Sequence, residues 1–186
     1  MRRFIAGFFY LPLGFLLLAV ASAAMASDPP RVGRTVLAAM EKNLDDRVSR
    51  LWDDNPFVLL GPTRGIYLDG YGVVFTTEVN LATGPTMLMH PELTKEEIQR
   101  HRQKKLERLP QLMHALRQAL VASAVSLDNV PAEQQIVVVA FLSRYPWEDA
   151  AGIPLQITLQ GQRKKLVEAQ HAGAAELDAL IHVVEY

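Results

Sequence analysis

Gly65-Ile-Tyr-Leu-Asp-Gly-Tyr-Gly-Val-Val-Phe-Thr-Thr-Glu-Val-Asn-Leu81 is the stretch on which the fold turns. It is dense in β-branched and aromatic residues and carries Asp69-Gly70 near its centre, the dipeptide that most strongly marks a tight reversal between two strands. Gly70 and Gly72 tolerate positive backbone angles that other residues resist, so the chain can turn back there and leave Tyr71 near the bend. Phe57 to Leu60 reads as one more strand just before, which predicts a three-stranded meander. If strand alternation ran through the turn, Tyr67, Tyr71 and Phe75 would share one face. Such an aromatic strip serves core packing by default and, where a bend exposes it, partner binding.

Outward from this hairpin, Leu37, Met40, Leu44, Val48, Leu51 and Trp52 recur every three or four positions and predict an amphipathic helix from Gly33, ended by Asp53-Asp54-Asn55-Pro56. On the other side, Thr94-Lys-Glu-Glu97 matches a capping box and starts a long helical region. Its charged first half holds few apolar residues. Leu112, Met113, Leu116, Leu120, Ala124 and Leu127 make the second half the part expected in the core, and Pro110 is expected to kink or break the helix between them. Gln135 to Leu142 is a continuous apolar run, as in a central strand covered on both faces. Leu155 to Leu159 alternates like a half-buried strand, Arg163 to Gln170 predicts a short helix, Ala174 to Ala179 a helical turn, and Ile181 to Tyr186 a last strand. Helices and strands do not alternate regularly, which argues for an α+β fold: an antiparallel or mixed sheet of about five strands, with a β-hairpin, packed against two main amphipathic helices.

The first 26 residues have a different character. Arg2 and Arg3, an apolar run from Phe4 to Val20 and the small residues Ala24 and Ala26 form a secretion signal peptide with cleavage expected after Ala26. The alternative is an uncleaved N-terminal membrane anchor, since about 20 apolar residues are needed to span a bilayer. Residues 27–32 read as a linker, and 33–186 as a single domain of ordinary size. Removal of Arg2 and Arg3 leaves 17 basic residues against 20 acidic ones, which disfavours bulk attraction to nucleic acid. No cysteine is present, so disulfides, a thiolate nucleophile and a lipidated cysteine are all excluded. The expected location is the bacterial periplasm or the cell exterior.

Signals for chemistry are few. The segment Gly70 to Asn80 superficially resembles the strand that leads to the catalytic histidine of trypsin-like proteases, but Glu78-Val79-Asn80 stands where that histidine would be, and no glycine-flanked serine follows. Gly65 to Phe75, together with the terminal Glu185-Tyr186, resembles a group of uncharacterised secreted bacterial proteins that carry a Gly-(Ile/Val)-Tyr-Leu-(Asp/Glu)-Gly-Tyr-Gly-Val-Val-Phe segment. That resemblance implies no activity. His90, His101, His114, His171 and His182 include no pair at metal-ligand spacing, no phosphate-cradling glycine loop occurs, and no cofactor is implied. Arg100, Arg102, Lys104, Lys105 and Arg108, with Arg163, Lys164 and Lys165 as possible neighbours in space, read as a solvated basic face.

The expectation from sequence is therefore an exported, non-catalytic domain that binds an envelope or secreted protein partner, with Tyr67 and Tyr71 as the candidate contact residues. The alternative is an exported hydrolase whose acid and base groups, Asp69, Glu78 and His90 among the candidates, come together only in the fold.

Overall fold

A computed structural model of the chain describes residues 32–56, 58–84, 93–171 and 173–186. The leader, nearly all of the linker, Phe57 and the segment around His90 lie outside the described residues. Five strands and four α-helices follow in the order α1 (Arg34–Ser49), β1 (Arg64–Leu68), β2 (Gly72–Val79), α2 (Lys95–Ser126), β3 (Gln135–Leu142), β4 (Gln156–Gln162), α3 (Arg163–Glu168), α4 (Ala174–Leu180) and β5 (His182–Glu185). The strands lie side by side in sequence order, and β3 is central. Only β2 and β3 run parallel, joined by α2 as the crossover; every other neighbouring pair is antiparallel. The fold is thus α+β with a mixed five-stranded sheet and a β-hairpin.

The hairpin closes where Asp69-Gly70 calls for it. Leu68 faces Gly72 across the turn, the Tyr71 amide donates to the Leu68 carbonyl at 3.1 Å, and Gly70 and Gly72 hold φ of 73° and 140°. Gly72 has a second constraint, because a Cβ there would lie 1.9 Å from the Gln135 carbonyl oxygen on β3. The parallel pairing of β2 with β3 therefore begins at a position where no side chain fits. The meander is corrected: Val58 to Leu60 forms no separate strand but pairs with the far end of β2 through the bridge Leu59 to Val79, on the same side as β1. Gly61 and Pro62 interrupt the line, since proline lacks the amide that the ladder needs.

α1 fastens this edge of the sheet. Arg34 grips Glu41 with two hydrogen bonds of 2.6 Å, and Glu41 Oε1 accepts the Gly65 amide at 2.6 Å. One turn on, Asp45 accepts both the amide and the hydroxyl of Thr63. Burial pushes the Glu41 carboxyl up, but the hydrogen bonds from Arg34 and Gly65 outweigh it and hold the group below its usual range.

α2 begins with both halves of the capping box in place at Thr94 and Glu97 and runs 32 residues without a break. Pro110 does not end it. The proline removes one backbone bond, but Lys105 and Arg108 are buried before it and Leu112 and Leu116 after it, so packing on both sides keeps the helix continuous. The core lies between one face of the sheet and the helices: Val73, Phe75, Ile136, Val138, Ile157 and Leu159 meet Leu44, Val48, Leu112, Leu116 and Leu120.

Candidate functional site

Side-chain period and strand register sort the sheet into two unlike faces. On the inner face Val73, Phe75, Ile136, Val138, Ala140, Ile157 and Leu159 are almost wholly buried. On the outer face the register aligns Ile66 with Val74, Val137 and Gln160 in one row, Arg64 with Thr76, Val139 and Thr158 in the next, and Glu78 with Phe141 and Gln156 in a third. Ile66 is 55% exposed and Phe141 45%, and Leu68 ends the face beside the turn with 41% exposed. Among the described residues no helix packs on this side, yet Val137 is only 4% exposed there; the expectation that β3 is covered on both faces holds for Ile136 to Val138 and fails at Phe141. The result is an apolar field on a sheet that otherwise alternates, rimmed by Arg64, Glu78, Gln156 and Gln160.

Of the two tyrosines singled out from sequence, the structure separates rather than joins them. Tyr67 faces inward with Phe75, half-buried against the core, and its phenol oxygen is buried with no hydrogen-bond partner among the described residues. Tyr71 stands 41% exposed at the hairpin turn, close in sequence to exposed Leu68. The aromatic strip is therefore a core feature at Tyr67 and Phe75 and a surface feature only at Tyr71, because the turn interrupts the alternation that would have aligned all three.

A second constellation lies at the opposite layer, where the first half of α2 meets the loop after β3. Lys105 and Glu148 have side chains only 1% and 2% exposed, and the lysine ammonium donates to both carboxylate oxygens, at 2.7 and 2.6 Å, and to the Ser143 carbonyl at 3.0 Å. His101 Nε2 lies 3.0 Å from Glu148 Oε1. The imidazole also meets Trp147 and Tyr145 edge-on, and those two rings stack on each other at 5.3 Å. Burial pulls the Lys105 ammonium below its ordinary value against the support of Glu148. Burial pushes the Glu148 carboxyl the other way, but hydrogen bonds from His101 and Lys105 prevail and hold it low. The pair is therefore buried and mutually hydrogen-bonded.

One turn further along α2, Arg108 donates to the Leu81 carbonyl at 2.8 Å, pairs with Asp54 and lies 4.9 Å from the Trp52 ring centre. This corrects the solvated basic face: Lys105 and Arg108 point into the protein because each finds a carboxylate and a carbonyl there. Arg163 does not join them; it donates to the Ala124 carbonyl, some 24 Å along α2 from Arg108 at about 1.5 Å per residue.

Chemically, His101 against Glu148 has the form of an oriented base, yet both oxygens of that carboxylate are held by Lys105. Among the described residues no hydroxyl donates to the imidazole. The cluster reads as a clasp that fastens the Tyr145 to Ala151 loop to α2. The hydrolase candidates do not converge: Asp69 is exposed at the hairpin turn, Glu78 lies about 20 Å down β2 at roughly 3.3 Å per residue, and His90 is outside the described residues. Among the described residues no three His, Asp or Glu side chains are placed to hold a metal ion, and no helix is long and apolar enough to cross a membrane. Comparison of the chain with family models, with curated proteins and with solved structures finds no match.

Proposed function

We propose that the chain is an exported, non-catalytic domain that binds another protein through the sheet face on which no described helix packs. The observation that carries this reading is the outer-face field of Ile66, Val74, Val139 and Phe141 around the buried Val137, with its two most exposed members within regular strands, Ile66 in the middle of β1 and Phe141 near the end of β3. A one-layer-covered sheet ordinarily turns polar residues to water, and a contiguous apolar patch with a polar rim marks an interaction surface. Export, read from the leader, places the partner among envelope or secreted proteins. Tyr71 and Leu68 extend the surface at the hairpin end. Tyr67 supports the hairpin from within.

The test is association of the tagged full chain with its partner in the cells that make it, compared with Ile66→Asp, Phe141→Asp and Tyr71→Ala. Loss of association in the first two, with the melting curve unchanged, supports the reading; association undiminished in all three overturns it. One observation favours the alternative hydrolase, the His101–Glu148 pair at the edge of a groove lined by Arg100, Lys104 and Trp147. Any hydrolytic activity abolished by His101→Gln, with folding intact, would move the assignment there.

A further inference from the structure

We propose that the occupant of the open sheet face is a second copy of this chain, seated face to face about a two-fold axis; this rests on the binding reading above and names its partner. The argument starts from two rim charges. Arg64 and Glu78 lie on adjacent strands, β1 and β2, one row apart on the same outer face, beside Thr76 and Phe141 around a depression of 210 Å³. Both side chains are exposed, and among the described residues neither takes part in an ion pair or a side-chain hydrogen bond, although the Arg64 charge also acts on Glu41. Two opposite charges fixed on one diagonal form the simplest self-complementary pattern, because a two-fold axis bisecting that diagonal sets Arg64 of each copy against Glu78 of the other.

The register then decides whether the same axis also matches the apolar residues. With strands about 4.8 Å apart and same-face neighbours about 6.8 Å apart along a strand, an axis in the interface that bisects the Arg64–Glu78 diagonal crosses β3 close to Val139. Reflection of the flattened grid across that line lays Val139 over Val139 of the second copy and brings Phe141 to within roughly 3 Å, in projection, of Ile66. Ile66 and Phe141, the two most exposed apolar residues of the face, thus cover each other, and this coincidence was not used to place the axis. The strands of the two sheets would cross at roughly 70°, nearer the orthogonal class of sheet packing than the aligned one. A heterologous partner would have to supply the complement of each charge independently; a second copy supplies both by symmetry.

Sedimentation of the purified full chain tests this. The expected result is a concentration-dependent species of twice the chain mass at micromolar protein. Arg64→Glu and Glu78→Arg should each weaken self-association by roughly tenfold or more, since each replaces two attractions by two repulsions, and the double exchange R64E/E78R should recover it. Phe141→Asp should abolish it. A chain that stays monomeric, or a dimer indifferent to both single exchanges, overturns the proposal. If the chain is monomeric while a crosslinker at position 141 captures a different protein, self-pairing falls and the binding reading stands; if nothing is captured, both fall. Unchanged melting curves of the exposed-site variants exclude misfolding as the cause.

Discussion

Replacing Glu148 by Gln removes the counter-charge of Lys105 while keeping the size of the side chain. The ammonium, 1% exposed, is then left with the Ser143 carbonyl and a neutral amide. Breaking a buried ion pair on one side costs about 3–5 kcal/mol. For a domain of this size each kcal/mol lowers the melting temperature by about 2–4 °C, so the expected loss is roughly 6–20 °C. Lys105→Met should cost less than Glu148→Gln, because His101 remains within hydrogen-bond distance of the carboxylate. The double change to Met and Leu should recover much of the loss, since an apolar pair of similar volume is often no worse than the ion pair it replaces. The assay is urea and thermal unfolding of the four proteins followed by circular dichroism. A cost below about 1 kcal/mol for both single variants, the value of a solvated surface pair, would refute the claim that this cluster is buried.

Three further outcomes follow from particular residues. The folded-state values of Glu148 and Glu41 lie below the ordinary 4.5, so their contribution is complete above that value and is lost as pH falls through the lower folded-state range; urea midpoints measured from neutral to strongly acid pH should fall there, and less steeply in Glu148→Gln. Gly72→Ala should destabilise by at least about 1–3 kcal/mol, since it adds a strained φ of 140° to a clash with the Gln135 carbonyl; an unchanged melting temperature would show that β2 and β3 do not meet as described. Pro110→Ala, at an exposed position inside α2, should raise stability by about 1–3 kcal/mol, and a loss instead would show that the ring itself is needed there.

The hairpin, the capping box and the central strand were legible because each is a local rule: a turn dipeptide, a reciprocal cap, a run of apolar β-formers. The meander failed because Val58 to Leu60 has the composition of a strand but is cut off by Gly61-Pro62, so it supplies only a bridge to β2. Pro110 misled because local helix rules do not count side chains buried far along the helix. The clasp was missed for a related reason. Continuing the three-and-four spacing of Leu116 and Leu112 backwards lands on Arg108, Lys105 and His101, so the buried stripe extends through the first half of α2 with charged residues in place of leucine. Position carried the signal and residue type concealed it, because Glu148 and Asp54, the groups that make burial tolerable, are 43 and 54 residues away in the chain. The open face was hidden too. The apolar run of β3 is the same whether one face or both are covered, and only the placement of the helices distinguishes them.

The most direct test of the open face as a binding surface is site-specific photo-crosslinking in the cells that make the protein, with the reactive side chain placed at Phe141 and, as a control, at Lys42 on the exposed side of α1. The expected result is a discrete adduct from position 141 and none from position 42. No adduct from position 141, or equal adducts from both, would contradict the account.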